Sequence, residues 1–348
     1  MSVVAADELR RFASDIFRRA GMSDAHAAIV ADVLVWADLR GIDGHGVSRI
    51  SMYMRLIDDG DLDLKPTMTS KAESAALTRL DAGHAAGPIA MTSAMRLAIE
   101  NARQAAIGVT LVRGTTHTAA LGYYTSRAAQ DGMAAIAFAA SVPMMAYHGA
   151  RALSLSTSPI SIAVPGGTDG PVVLDMATSL VSKGRINQAR KIGTPIPEGW
   201  ALNTDGNPTT DARTAELLLP LGGAKGSGLS LMIEIITSVL LGNPILAEAL
   251  EQTPEGRRHK QNALTIAIDV ARFGDPASFA REVQRLVTDV KALPRLPGVE
   301  EIRVPGERGQ RTFDARTRDG IPIPRPIYDE LKGIADRLGV AMFTERSR

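Results

Sequence analysis

Residues 108–139 read GVTLVRGTTHTAALGYYTSRAAQDGMAAIAFA and contain two short apolar runs separated by a longer stretch of helical character. GVTLVR at 108–113 and AAIAFA at 134–139 have the length and composition of buried strands. The segment between them, Ala119–Gln130, is predicted to form a helix. Strand and helix therefore alternate in this stretch, which predicts an α/β unit in the middle of the chain.

The pattern continues on both sides of this stretch. Roughly the first 75 residues read as helical, and Ser23 is a suitable cap for a helix there. Pro294, Pro297 and Pro305 predict an extended or looped region before the last helix. We therefore predict an α/β (α+β) fold with a helical portion and a larger portion that contains the sheet. Its other predicted elements are strands at 160–164, 172–174 and 264–270, and helices at 226–241, 279–293 and 328–338.

Composition narrows the classes of function. The chain has 348 residues, a formal net charge of +1 and no cysteine. Disulfides, thiolate metal sites and cysteine nucleophiles are therefore excluded, and no metal site is predicted. The sequence has no basic stripe, no signal peptide and no apolar run long enough for a membrane span, so we expect neither nucleic acid nor membrane as a partner. We expect a cytoplasmic protein.

The glycine-rich turn before the predicted helix at 226–241 is a candidate anion site. The sequence contains no G-x-G-x-x-G after a predicted strand, and GAKGSG at 223–228 is not a P-loop because its lysine precedes the glycine. The free N–H groups of Gly223 and Gly226, with Lys225 beside them, would favour a pyrophosphate. An ordinary turn into a helix is the alternative.

His45 is the leading candidate among six histidines for proton transfer. Glycines flank it on both sides, and Arg49 follows one helical turn later. Such a pair suits a 2-oxo acid, because the arginine binds the carboxylate and the imidazole exchanges a proton with the neighbouring oxygen. The alternative is a histidine at a helix start with a surface arginine. His26 and His259 are predicted to be surface residues.

Two segments that follow predicted strands supply further candidates. His117 comes just after the strand at 108–113, where α/β proteins often build their sites, although it could simply close a turn. Asp175, Thr178 and Ser179 follow the strand at 172–174. The Asp175 carboxylate could bind a ribose hydroxyl, and capping of the next segment is the alternative.

These segments together resemble the type-2 malate/L-lactate dehydrogenase family, which also includes ureidoglycolate, sulfolactate, diketogulonate and Δ1-piperideine-2-carboxylate oxidoreductases. The resemblance spans roughly residues 1–330 and is most distinctive where DMATS and GGAKGSGL occur together. The matching stretches are ADLRGIDGHGVSRI (37–50), LDAGHAAG (80–87), VRGTTHTAALGYY (112–124), LDMATSLVSKGRI (174–186), IPEGWALNTDGNPTTD (196–211), LLPLGGAKGSGLSLMIEIITSVLLG (218–242) and VPGERG (304–309).

The resemblance implies an architecture without a Rossmann domain. Residues 1–78 and 315–348 would form a mainly helical domain, and residues 79–314 a central α/β domain that binds NAD or NADP. A homodimer with its active site in an interdomain cleft is also implied. The site residues implied are His45 and His117 for catalysis, Arg49 and Tyr53 for the substrate, and Asp175, Thr178, Ser179, Lys183, Gly223, Lys225, Gly226 and Arg308 for the cofactor.

The chain departs from the family where polar side chains are usual. Gly44 stands in place of a serine, and Ala140 in place of an asparagine. The resemblance predicts hydride transfer between NAD(P) and C2 of a small 2-oxo or 2-hydroxy acid. Because of the departures at Gly44 and Ala140, the identity of this carboxylate substrate is left open. A cyclic imine reductase and an inactive cofactor-binding protein are the alternatives.

Overall fold

The computed structural model describes residues 2–168, 170–251 and 259–345, and its helices alternate with strands as the central sequence predicts. Its α-helices are α1 (Ala6–Arg19), α2 (Asp24–Leu39), α3 (Ile50–Asp58), α4 (Gly87–Ala105), α5 (Gly122–Gln130), α6 (Lys183–Ile192), α7 (Ala224–Glu234), α8 (Leu246–Leu250), α9 (Pro276–Lys291), α10 (Glu307–Asp319) and α11 (Arg325–Leu338). Its strands are β1 (Ser2–Val4), β2 (Thr69–Ala72), β3 (Leu77–Asp81), β4 (Ile107–Thr115), β5 (Met133–Ser141), β6 (Met145–Ala146), β7 (Leu153–Leu155), β8 (Ile160–Val164), β9 (Val172–Met176), β10 (Ala201–Leu202), β11 (Leu217–Leu218), β12 (Gln261–Asp269) and β13 (Ile321–Ile323).

A seven-stranded sheet organises the central part of the chain. Its strand order is β2-β3-β4-β12-β5-β8-β9, and only β3 and β4 run parallel to each other. Helix α4 packs against β4 and β12, while α5 packs against β5 and β8. This largely antiparallel order differs from the parallel sheet of a Rossmann domain, which agrees with the missing glycine fingerprint.

The two ends of the chain meet in the helical portion. Strand β1 pairs antiparallel with β13, from Ser2 opposite Ile323 to Val4 opposite Ile321. Helix α1 packs against α2 and α11, and α10 packs against α2. The apolar core of these helices is continuous with the core beneath the large sheet. The division into two domains stays a prediction, and its boundary at 314–315 would fall inside α10.

A second, smaller core lies beside the large sheet. Strands β10, β11, β6 and β7 form a four-stranded sheet in that order. Met145, Leu155, Ile186 and Leu218 pack together there, separately from the main cluster. This unit places α6 next to the segment that carries His45.

Roughly the first 75 residues, predicted to be helical, also contain strands β1 and β2, and two helices differ from the prediction. The looped region predicted from the prolines ends sooner than expected, because Glu307–Asp319 forms helix α10. The helix predicted at 226–241 starts at Ala224 and changes to a π-helix at Ile235–Val239. Within it, the Thr237 hydroxyl donates to the carbonyl of Ile233 at 2.6 Å, a bond of the kind that bends helices. Across the described ranges, each helix is too short or too polar to pass through a lipid bilayer.

Candidate active site

His45 lies on a compact double turn between α2 and α3. Asp43–His45 and Val47–Arg49 each form one 3-10 turn, joined at Gly46. The His45 N–H donates to the carbonyl of Ile42 at 2.8 Å. Arg49 Nε donates to the carbonyl of Gly44, which folds the guanidinium back towards His45. The predicted proximity of this histidine and arginine is therefore present in the structure.

A buried carboxyl group holds this double turn in place. Asp38, near the end of α2, is 4% exposed and accepts the Val47 N–H at 2.8 Å through Oδ2. A Cβ added at Gly46 would lie 1.8 Å from Asp38 Oδ1, so only glycine fits there. Burial raises the pKa of Asp38 to about 8, against the opposing effect of the Val47 hydrogen bond. Arg316 of α10 donates to the Asp38 carbonyl and to the Asp43 carboxylate.

His117 lies just beyond the end of β4 and faces His45. The two imidazole rings stack with 5.6 Å between centroids and 14° between planes. Tyr53 is fully buried, and its hydroxyl donates to the His117 carbonyl at 2.8 Å, with His117 Nδ1 at 3.3 Å. A Cβ at Gly87 would lie 2.1 Å from the same carbonyl oxygen, so the start of α4 also packs closely against the His117 backbone. Tyr53 therefore positions His117.

Burial, and after it the charges of neighbouring groups, lower the pKa of both imidazoles. Burial, followed by the charge of Arg49, lowers the pKa of His45 to about 3. Burial and the charges of Arg49, His45 and His259 hold the pKa of His117 well below its usual range. Both rings are thus neutral at pH 7 and able to accept a proton. Burial also lowers the pKa of Arg49. This arginine forms no salt bridge with any residue that the structure describes.

The start of α6 borders the same cluster. A Cβ at Gly184 would lie 3.5 Å from an Arg49 terminal nitrogen and 3.5 Å from Gly44 Cα. The neighbouring Lys183 donates to the Glu216 carbonyl at 3.4 Å, and burial lowers the pKa of this lysine. Lys183 is therefore close to the candidate site, with its ammonium directed at Glu216.

The glycine-rich turn and the DMATS segment lie side by side. The Leu221 N–H donates to the Thr178 carbonyl at 2.8 Å. Gly223 has a φ of 63° and precedes α7, and Lys225 in the first turn is exposed. A Cβ at Gly226 would lie 2.6 Å from the Thr178 carbonyl oxygen, so this glycine permits close packing of the two segments.

The side chains of the DMATS segment are engaged within the protein. Asp175 Oδ2 accepts the N–H of Gly122 at 2.8 Å, and burial raises the pKa of this carboxyl to about 6. Asp175 thus binds the start of α5, which precedes it in the chain, whereas the capping alternative placed it at the segment that follows. Thr178 donates to the Thr157 carbonyl and Ser179 to the Val181 carbonyl, and both residues are buried. Their hydroxyls therefore support the backbone beside the glycine turn.

The arginines near residue 308 lie on a helix. Arg308 is exposed in the first turn of α10. Arg311 forms ion pairs with Glu301 at 2.8 Å and with Glu307. A role for Arg308 at the cofactor stays a prediction.

Two residues at the cluster were not identified from the sequence. Asp38 lies four positions after Leu34, on the buried side of α2, and this spacing was an available signal. His26 was expected at the surface and is half-buried, and the same expectation is wrong for His259. Its side chain is half-buried, and its charge lowers the pKa of His117. The charged run around it gave no indication of this burial.

Comparisons with known proteins identify the family and agree with the fold. The sequence profile of the family described as Malate/L-lactate dehydrogenase matches residues 4–332. A malate dehydrogenase of Pyrococcus horikoshii is 35% identical over 347 residues, covering 97% of this chain and 96% of the relative. A Delta(1)-pyrroline-2-carboxylate/Delta(1)-piperideine-2-carboxylate reductase of Pseudomonas putida is 31% identical over 335 residues, covering 95% and 96%.

A solved structure extends the similarity to the whole fold. The crystal structure of malate dehydrogenase from Entamoeba histolytica superposes with a TM-score of 0.93 at 27% identity, covering 98% of this chain and 99% of that one. The resemblance and the mixed α/β class predicted from the sequence are therefore confirmed. The chain is an oxidoreductase that belongs to the malate/L-lactate dehydrogenase family.

Proposed function

We propose that this protein transfers a hydride between NAD or NADP and C2 of a small 2-oxo or 2-hydroxy acid. The observation that carries the proposal is the half-buried Arg49 beside two neutral imidazoles, with no carboxylate partner among the described residues. A buried cation without a partner is costly, so such a group favours an anionic ligand. A guanidinium binds a carboxylate through two parallel hydrogen bonds.

Each side chain of the cluster has a separate role in binding the substrate or in proton transfer. Arg49 binds the C1 carboxylate and so fixes the position of C2. The nicotinamide, when bound, supplies or accepts the hydride at C2. In reduction, His45 gives a proton to the C2 oxygen as the carbonyl becomes a hydroxyl, and in oxidation it takes that proton back. Tyr53 holds His117 against His45 through the bond to the His117 carbonyl.

The substrate itself adjusts His45 for this task. With Arg49 unpaired, burial and the guanidinium keep the pKa of His45 low. A carboxylate on Arg49 neutralises that charge and so raises the pKa of His45, while burial continues to lower it. Proton transfer is therefore linked to substrate binding.

The glycine turn before α7 fits the diphosphate of a dinucleotide. Gly222 and Gly223 have φ values of 59° and 63°, and helix α7 begins immediately after them. The exposed Lys225 and the N–H groups at the helix start would hold the diphosphate. Asp175, Thr178 and Ser179 would shape this region through backbone contacts, and Lys183 would border it on the Arg49 side.

A cyclic imine substrate is the second candidate. The similarity to the Pseudomonas putida reductase favours it, together with the small residues Gly44 and Ala140. A cyclic imine carboxylate would still bind to Arg49 through its carboxylate. His45 would then exchange a proton with the ring nitrogen in place of an oxygen.

One screen tests both candidates. Oxidation of NADH and of NADPH is followed in the presence of 2-oxo acids and of cyclic imine carboxylates. We expect turnover of 2-oxo acids that drops at least about 100-fold in His45→Ala. Turnover of imines alone would favour the second candidate, and cofactor binding without turnover of either class would refute the enzymatic proposal.

A homodimer is part of the proposal. Large exposed apolar side chains occur on and near α9, where Leu286 is 64% and Leu296 76% exposed. A second group follows α7, where Val239 is 53% and Leu240 67% exposed. We take these two groups of exposed apolar side chains as candidates for an interface with a second copy of the chain. Sedimentation should give twice the chain mass of 36.9 kDa, and a 36.9 kDa species at micromolar concentration would contradict the proposal.

A further inference from the structure

Arg316 connects a helix near the end of the chain to the segment that carries His45. It lies on α10, and its Nη1 donates to the Asp43 carboxylate at 2.5 Å and to the Asp38 carbonyl. The Arg316 side chain is 18% exposed, so most of it is packed inside the protein. Asp43 is the first residue of the 3-10 turn that ends at His45. The guanidinium thus contacts both the end of α2 and the start of this turn.

Asp43 connects that guanidinium to the backbone of the turn. Its carbonyl accepts the Ser48 hydroxyl at 2.6 Å and the Gly46 N–H at 3.4 Å. The His45 N–H closes the turn by donating to the Ile42 carbonyl at 2.8 Å. Since Asp43 is bonded through both its carboxylate and its carbonyl, a shift of this residue would move the backbone that carries His45.

The two 3-10 turns of this segment have separate anchors. Arg316 binds the first turn through the aspartate at its start. The Asp38 carboxyl group binds the second turn through the Val47 N–H at 2.8 Å. Removal of Arg316 would therefore take an anchor away from His45 and leave the anchor of Arg49 in place.

Helix α10 is itself fixed to α2, so Arg316 extends from a rigid base. Arg40, which follows α2, donates to Gln310 Oε1 at 2.9 Å and to the Gly306 carbonyl at 3.0 Å. Helix α10 also packs directly against α2. These contacts hold Arg316 at a defined place relative to the end of α2, where the His45 segment begins.

We propose that Arg316 is a positioning residue for proton transfer, which holds the first 3-10 turn so that the His45 imidazole faces the C2 oxygen. The inference rests on the proposed function, in which His45 exchanges a proton with that oxygen and Arg49 binds the carboxylate. The Asp43 side chain is 57% exposed, and an ion pair at such a site contributes little to folding stability. A displacement of about 1 Å at a reacting group can lower the rate about 100-fold. Loss of Arg316 should therefore affect turnover far more than folding.

The first test is Arg316→Gln, assayed with pyruvate or oxaloacetate, whichever the wild-type protein reduces faster. We expect kcat to fall about 10- to 100-fold, whereas the KM of the oxo acid stays within about threefold because Arg49 keeps its anchor. The melting temperature should fall by less than about 4 °C. In Arg316→Lys the ammonium can still pair with Asp43, so kcat should return to within about fivefold of the wild-type value.

A double-mutant cycle tests whether Arg316 acts through Asp43. Asp43→Asn removes the same ion pair and should also lower kcat. The variant with both Arg316→Gln and Asp43→Asn should be at most about threefold slower than the slower single variant, because the shared contact is lost only once.

The matched control is Arg318→Gln on the same helix. The Arg318 guanidinium pairs with the adjacent Asp319 at 2.8 Å, and this variant should leave kcat unchanged. An unchanged kcat in Arg316→Gln, a loss that Arg316→Lys does not restore, or fully additive losses in the double variant would overturn the role of Arg316. Absence of 2-oxo acid turnover in the wild-type protein would instead refute the proposed function.

Discussion

Gly44 and Gly46 flank His45. The structure predicts that replacement by alanine strongly lowers the free energy of unfolding at Gly46 and hardly changes it at Gly44. At Gly46 the new Cβ would lie 1.8 Å from Asp38 Oδ1 and 2.2 Å from its Cγ. The φ of Gly46 is −87°, which suits any residue, so the penalty comes from the carboxyl group alone. At Gly44 the nearest atom to a new Cβ is Gly184 Cα at 3.8 Å, an ordinary van der Waals contact.

The cost of Gly46→Ala follows from what Asp38 does. Its carboxyl group is buried and binds the Val47 N–H, so it cannot retreat without leaving that donor unpaired. Overpacking costs about 1–3 kcal/mol, and an unpaired buried donor about 1–3 kcal/mol more. We therefore expect Gly46→Ala to lower the free energy of unfolding by roughly 2–6 kcal/mol. Gly44→Ala should change it by less than about 1 kcal/mol.

Urea denaturation measures both stabilities, and steady-state kinetics measures the consequence for the site. Since His45 lies between the two glycines, a displaced turn in Gly46→Ala should lower kcat by about 100-fold. Gly44→Ala is the matched control, and Gly44→Ser also fits sterically at its Cβ. A Gly46→Ala protein with wild-type stability and activity would refute the view that Asp38 fixes the His45 turn.

Three further predictions concern the same cluster. The fold raises the pKa of Asp38, so its contribution to stability is complete below pH 4 and is lost as the pH rises to about 8. The free energy of unfolding should therefore fall with pH in this range, by at most about 1.4 kcal/mol per pH unit. Denaturation curves of Asp38→Asn should lack this slope, and an unaltered slope would exclude Asp38 as its source. Tyr53→Phe leaves the His117 carbonyl without its donor and should destabilise the protein by about 1–3 kcal/mol, with kcat reduced more than KM is raised; an effect on KM alone would assign Tyr53 to substrate binding. Oxamate, an unreactive 2-oxo acid analogue, should raise the pKa of His45 in an NMR titration because it neutralises Arg49, and a constant pKa would argue against the carboxylate site.

The central strands and helices were predictable because their signals are local. Ser23 caps α2 as predicted, with its hydroxyl accepting the His26 N–H. Helix α10 was missed because its sequence, ERGQRTFDARTRD, is highly charged and follows a proline-rich stretch. Its position depends on distant partners, since Arg316 contacts Asp38 and Asp43. Such contacts have no local sequence signal.

The same distinction between local sequence signals and long-range contacts applies to the residues of the candidate site. His45 and Arg49 lie four residues apart, so their proximity could be inferred from spacing. His259 is brought to the cluster by the pairing of β12 with β4, and the charged residues around it suggest solvent instead. The buried role of Asp38 likewise depends on the turn that folds over it. Long-range packing thus decides which polar residues join the site.

The pairing of β1 with β13 also constrains the order in which the molecule can be completed. Strand Ser2–Val4 is synthesised before the central sheet, whereas its partner strand, Ile321–Ile323, is synthesised after that sheet. The pairing of β1 with β13 therefore forms only after the strands of the central sheet are available. Arg316, which holds the His45 turn, arrives in the same late segment. The turn that carries His45 therefore reaches its final contacts only after the strands of the central sheet have been synthesised.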